Sequence, residues 1–263
     1  MQDEGKKGCR REVNGMEVVE AFLCAAGFVG ADEVWVHGMW TPDKWMRCLK
    51  AKVCGRKLVR MTHGSLSPIY LKRQSAWKKR LVKPIERLLF ALSDRIVVTG
   101  PWEAAWNRAW GLRGSFAEID LKRFFQLERP VKSYVPMQGR AMRVLYLGRR
   151  HPLKGVDILE AVAKRLVGRI DIRIEDNVFD DAKERVWAWC DALVVPTLSE
   201  NFSLVIAEAL ERGKPVVTTD GAPAWRGFPG VTYLEGFVSA SRREQEEMLC
   251  QALTGTKAQE GSR

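Results

Sequence analysis

The sequence has few of the features that usually carry chemistry. Three histidines occur in 263 residues. Six cysteines (Cys9, Cys24, Cys48, Cys54, Cys190, Cys250) form no CxxC and no paired metal-ligand spacing, which argues against a disulfide framework and a zinc site. No DxD acidic pair suggests a divalent metal site. No apolar run is long enough to span a bilayer; the most apolar early stretch, 21–31, is short and flanked by Glu20 and Asp32. It also lacks the basic start and small-residue cleavage site of a signal peptide, so a cytoplasmic chain with reduced thiols is expected. There is no internal repeat.

Hydrophobic residues make up 46% of the chain and charged residues 29%. That is a globular balance with enough apolar side chains for one large or two small cores. The formal net charge is +11 and it is concentrated. Between Asp43 and Arg87 stand fourteen Lys or Arg residues and only two acids, Asp43 and Glu86. Such a block points to an anionic partner: nucleic acid, an anionic membrane surface or an acidic substrate.

Short runs rich in Val, Ile and Leu predict strands at 33–37, 57–63, 95–99, 143–148, 170–174, 191–196 and 215–219. Between them lie helical periodicities, including Trp77 to Leu92 with Pro84 inside it, and the face Val156, Leu159, Val162, Leu166. The alternation predicts α/β architecture with parallel sheets covered on both faces. The stretch 126–140, with two prolines and a glycine, reads as a linker between two such units. The expected division is 1–130, a basic unit; 131–240, a second α/β unit; and 241–263, a helix followed by a tail from Leu253 onward that frays.

Three stretches are candidates for a site. In Trp189 to Trp225 a strand ends at Pro196, a polar loop follows, and a helix starts at Ser203, a favourable N-cap residue. Glu200 in that loop and Glu208 on the second turn can share one crevice, with the amides of Phe202, Ser203 and Leu204 left for phosphate. Two glutamates at a helix entry are, alone, an ordinary surface feature. In Leu147 to Gly155 a glycine turn after a strand carries Arg149, Arg150 and Lys154, which suit a diphosphate. His37-Gly38 and His63-Gly64 each close an apolar strand, which suggests one cleft.

Taken in order, these stretches resemble the E-x7-E glycosyltransferases of the GT-B class, family 4 (group 1) type. The resemblance is carried by Asp191, Pro196, Glu200, Phe202, Glu208-Ala209-Leu210, Gly213 and Pro215-Val216-Val217, by Arg149 and Lys154-Gly155, and by Thr62 to Gly100. Ser203 stands where the family pattern has glycine, and Gly221 to Trp225 is similar to its G-x-P-W region with one residue inserted. The resemblance implies two Rossmann-like domains, both shortened in a compact member, and transfer with retention from a nucleotide-diphosphate sugar without metal or other cofactor. It implies that Glu200 contacts the donor sugar and Glu208 the ribose. Arg149 and Lys154 hold the diphosphate, His63 lies near the donor sugar and His37 near the acceptor. The family's bacterial surface-polysaccharide and lipopolysaccharide members suggest a glycan or lipid-linked acceptor. The block Asp43–Arg87 would then rest peripherally on the inner face of the cell membrane. Between Ile174 and Trp189 the spacing is compressed where the family places nucleobase contacts. Two other classes fit part of this pattern: a catalytically degenerate glycosyltransferase-like binding subunit, and a nucleic-acid-binding protein using the basic block, for which no nucleic-acid-binding motif is present.

Overall fold

The computed structural model describes residues 32–73, 76–125, 127, 131–136 and 140–255. Cys9, Cys24, the early apolar stretch, seven of the fifteen residues of the 126–140 linker and the last eight residues lie outside them.

Two parallel sheets form the frame. The first has the order β1-β2-β3-β4, built from β1 (Glu33–His37), β2 (Lys57–Met61), β3 (Arg95–Val98) and β4 (Phe116–Glu118). The second has the order β6-β5-β7-β8-β9: β5 (Met142–Leu147), β6 (Ile170–Glu175), β7 (Ala192–Val195), β8 (Val216–Thr219) and β9 (Val231–Leu234). Every pairing is parallel. Helical crossovers cover such sheets, so central strands read as continuous Val, Ile and Leu. β7 and β8 are buried along their whole length. The order β6-β5-β7 reverses the chain direction of build-up beside β5. The loops after β5 and β7 therefore flank the crevice where open α/β sheets take ligands.

The helices are α1 (Pro42–Val53), α2 (Pro68–Arg73), α3 (Ala76–Ala91), α4 (Pro101–Trp110), α5 (Val156–Arg165), α6 (Asp180–Trp189), α7 (Leu204–Glu211) and α8 (Arg242–Thr254). Pro84 is accommodated inside α3, although a mid-helix proline removes one backbone hydrogen bond. Helix α8 starts on a capping box, Ser241 with Glu244, and packs against α5. Leu253, expected at the start of a fraying tail, is instead buried in α8, and the Tyr134 hydroxyl donates to its carbonyl at 2.8 Å. An apolar register continuing through Leu249 to Leu253 keeps this last turn docked.

One buried cluster joins the sheets. It runs from Val59, Met61, Val97 and Ile119 of the first unit to Leu145, Val195, Phe202 and Trp225 of the second. In the first unit, Arg60 and Glu86 form a fully buried pair at 3.2 Å. Glu86 also accepts from Trp40 N (2.7 Å) and Trp45 Nε1 (2.9 Å), while Arg60 donates to Gly38 O (3.1 Å) and lies over the Phe90 ring. A buried charge pair costs desolvation that further hydrogen bonds offset. Here those bonds go to the turn that follows β1 and to Trp45, while Arg60 Nε and Nη1 are buried with no hydrogen-bond partner among the described residues.

Candidate functional site

The three stretches singled out by sequence converge at the carboxyl ends of both sheets. Gly155, with φ of +66°, turns the chain into α5, and a Cβ there would stand 2.0 Å from Pro196 O. Only glycine permits that approach. The contact clasps the loop after β5 to the loop after β7, with Leu198 N donating to Leu153 O at 2.8 Å and Thr197 Oγ1 to the same oxygen at 3.0 Å. It brings Lys154 and Glu200 together as an ion pair, both side chains about one-fifth exposed. The Tyr146 hydroxyl donates to Arg149 O at 3.0 Å. Burial, with a smaller contribution from Glu200, pushes this phenol well above its ordinary range, so it stays a donor. Arg149 is exposed at the rim. Arg150 turns away to pair with Glu160.

The second carboxylate has a partner that the sequence reading missed. Lys183 Nζ on α6 stands 2.8 Å from both oxygens of Glu208 and is hydrogen bonded to Oε1. Glu208 Oε2 is buried and has no hydrogen-bond partner among the described residues. Acidic neighbours hid Lys183, since DDAKER reads as a charged helix face. The compressed segment before Trp189 thus runs straight from β6 into the helix that supplies this lysine.

Ser203 occupies the cap position of α7, but its hydroxyl makes no capping bond. Its φ of +63° is the left-handed conformation that suits glycine, which gives a physical reason for glycine in the family pattern. Phe202 is buried: its ring lies against Phe125 and Trp225, and its carbonyl accepts from Trp225 Nε1. Leu204 is half-buried on the first turn of α7. Glycine is needed at Gly221 as well, because a Cβ would meet Thr197 O at 2.1 Å, and its carbonyl accepts from Glu200 N at 2.7 Å. The Gly221–Trp225 segment therefore acts by fixing the Glu200 loop.

On the facing side, His37 Nδ1 and His63 Nε2 are 2.8 Å apart, with stacked rings. The sequence reading placed both in one cleft, His63 near the donor sugar and His37 near the acceptor; the fold joins their rings by a hydrogen bond whose donor depends on the tautomer. Burial first, then the charges of His37 and Lys44, lower the His63 pKa to about 3, so it is neutral at ordinary pH. His63 has φ of +50°.

A residue outside every predicted motif ties the halves together. Glu103, on α4, is fully buried. Its Oε1 accepts from Thr62 Oγ1 and Gly64 N, both at 2.7 Å. Its Oε2 accepts from Thr99 N (2.9 Å), Thr99 Oγ1 (3.0 Å) and Asn201 Nδ2 (3.2 Å). Gly64 follows His63 and Asn201 follows Glu200, so one carboxylate holds both loops. The units meet again where Ser67 Oγ and Ser199 Oγ stand 2.7 Å apart. An acid in the first turn of a helix normally complements the dipole, and nothing local in the sequence marks Glu103 for more than that.

The comparisons with known proteins agree with this architecture. Residues 159–253 match the family model for glycosyl transferases group 1. No curated protein matches the sequence. Among solved structures, the chain is similar to sucrose-phosphate synthase (tll1590) from Thermosynechococcus elongatus, at 19% identity and TM-score 0.53, covering 92% of this chain and 71% of that one. It is similar to Anabaena Alr3699/HepE in complex with UDP and glucose, at 16% identity and TM-score 0.56, covering 91% and 72%. It is also similar to WaaG, a glycosyltransferase involved in lipopolysaccharide biosynthesis, at 13% identity and TM-score 0.55, covering 93% and 88%. At these identities the structural likeness concerns the fold. The fold is therefore of the GT-B type, and the segment that matches the glycosyl transferases group 1 model takes in Glu200 and Glu208 of the second unit.

Proposed function

We propose that the protein transfers a sugar, with retention, from a nucleotide-diphosphate sugar to a glycan or lipid-linked acceptor of the kind used in surface-polysaccharide or lipopolysaccharide assembly. The observation that carries this reading is the convergence of Lys154, Glu200 and Glu208 at the β5/β7 crevice. Each has a counter-ion that a donor can replace or share. A diphosphate entering beside Arg149 competes with Glu200 for the Lys154 ammonium and releases that carboxylate towards sugar hydroxyls. Glu208 Oε2, ion-paired with Lys183 but with no hydrogen-bond partner among the described residues, is the acceptor for a ribose hydroxyl. As the diphosphate leaves, Arg149, Lys154 and the amides at Phe202, Ser203 and Leu204 stabilise the developing charge; basic side chains then do the work that a metal does elsewhere. The hydrogen-bonded His63–His37 pair, with His63 neutral, faces the transfer from the first unit, His63 towards the donor and His37 towards the acceptor. The UDP and glucose named for the Anabaena relative, and the lipopolysaccharide pathway named for WaaG, support a nucleoside diphosphate donor and a surface-glycan acceptor.

A thermal-shift screen against UDP-, GDP-, ADP- and CMP-sugars tests the donor half. A bound donor at a hundredfold excess over its Kd adds roughly 2.7 kcal/mol of stability. Slow donor hydrolysis lost in Glu200→Gln supports transfer. Donor binding without turnover in any acceptor mixture favours the degenerate binding subunit, and salt-sensitive binding to nucleic acid with no sugar-nucleotide shift favours the third class.

A further inference from the structure

Helix α3 turns a row of large apolar side chains outward. Trp77 is 63% exposed, Leu81 69% and Leu88 60%, and Ile85 and Leu92 are exposed with them. At 3.6 residues per turn these five fall within an arc of about 80°. The opposite arc, with Lys79, Glu86, Leu89 and Phe90, is buried. Lys79 is among these and donates to Tyr70 O at 2.9 Å. Exposed Lys78 borders the apolar row on one side, and exposed Arg80 and Arg87 border it on the other. Helix α1, packed against α3, adds exposed Met46, Leu49 and Val53 beside exposed Arg47 and Lys50. Single exposed leucines are ordinary, whereas eight large apolar side chains on two adjoining helices form a patch that calls for a partner.

Charge selects the partner. The one acid on α3, Glu86, is turned inward onto Arg60, and the one acid on α1, Asp43, sits at its first turn. The rim is otherwise cationic. A second copy of the chain would bring two cationic rims together. An anionic bilayer meets both features, because apolar side chains enter the headgroup–acyl boundary while Lys and Arg reach lipid phosphates.

We infer that α1 and α3 form a docking face for an anionic lipid bilayer, with α3 lying in the plane of the surface. This deepens the reading of a membrane-linked acceptor and rests on it only for what the docked site acts upon. The chain passes from the His63 loop directly into α2 and α3, so docking holds the acceptor side of the cleft at the interface. Among the described residues no helix is long and apolar enough to cross a membrane, and this face attaches without crossing.

Flotation of the full chain with phosphatidylglycerol–phosphatidylcholine vesicles, against pure phosphatidylcholine vesicles, tests the proposal. The protein is expected to float with the anionic vesicles, more weakly with the neutral ones, and less as salt rises. Leu81→Asp with Leu88→Asp is expected to lower partition at least tenfold. Both side chains already face solvent, so the unfolding midpoint should hold. Lys78→Glu with Arg80→Glu and Arg87→Glu is expected to abolish the preference for anionic lipid. No flotation at low salt overturns the proposal, as does flotation indifferent to both variants. A dimer in sedimentation that dissociates in Leu81→Asp with Leu88→Asp overturns it in favour of a second copy. Sugar-nucleotide thermal shifts on the same variants read the donor site separately, so failure of docking and failure of the transferase reading give different results.

Discussion

Glu103→Gln probes the strut between the two halves of the cleft. The carboxylate takes five donors and has no cation among its hydrogen-bond partners: Thr62 Oγ1 and Gly64 N on one oxygen, Thr99 N, Thr99 Oγ1 and Asn201 Nδ2 on the other. Glutamine keeps one acceptor oxygen and puts an NH2 in place of the second. The hydroxyls can rotate and the Asn201 amide can flip, so those partners re-pair. The two backbone N–H groups cannot. Whichever way the new amide points, Gly64 N or Thr99 N faces a donor. A buried unsatisfied donor costs about 1–3 kcal/mol, and hydrogen bonds weakened from charged to neutral strength add about 1 kcal/mol more. A total of about 2–4 kcal/mol corresponds to a fall of roughly 4–16 °C in Tm for a chain of this size. Differential scanning calorimetry of the wild type and Glu103→Gln measures it, and donor hydrolysis should fall too, because Gly64 and Asn201 carry the neighbours of His63 and Glu200. An unchanged Tm with unchanged hydrolysis would falsify the strut.

Ser203→Gly should stabilise the protein. Relief of the left-handed backbone is worth about 1–2 kcal/mol and the greater freedom of unfolded glycine offsets about 0.5–1 kcal/mol, a net gain of about 0–1.5 kcal/mol. The hydroxyl makes no capping bond to lose; a lower urea midpoint in Ser203→Gly sinks the argument. His63 sets a pH dependence. Its native pKa of about 3 lies below the ordinary 6.5, so between these values the unfolded chain binds a proton that the native chain refuses. Stability from this group is therefore full above pH 6.5 and is lost as pH falls towards 3. Urea midpoints compared between pH 7 and 5, where most carboxylates remain ionised, should drop in the wild type and stay flatter in His63→Gln; parallel curves exclude the assignment.

Much of this molecule was legible in its sequence, for reasons of local physics. Seven of the nine strands follow from Val/Ile/Leu runs, because buried parallel strands are apolar on both faces. The two that escape, β4 and β9, are short strands at the ends of their sheets with no fully buried residue, so the apolar run that marks the others is missing. Lys154 and Glu200 were legible from order, since each follows a strand that ends at the same crevice. Gly155 and Gly221 were also marked, although only the backbone oxygens of Pro196 and Thr197 explain them.

The tertiary structure decided which charges meet. Glu103 reaches Gly64 across 39 residues and Asn201 across 98, and Lys183 reaches Glu208 across 25. No local periodicity encodes such pairs. The two histidines could be placed at strand ends from sequence, but their hydrogen bond exists only because parallel β1 and β2 register His37 beside Met61. The exposed row on α3 has the same origin. Sequence shows a periodic helix with apolar residues and cations, and only packing shows that Glu86, Leu89 and Phe90 take the inward face. Composition and periodicity determine what each segment can bury; which face is buried, and which charges lie within hydrogen-bonding reach, is settled when distant segments compete for one core.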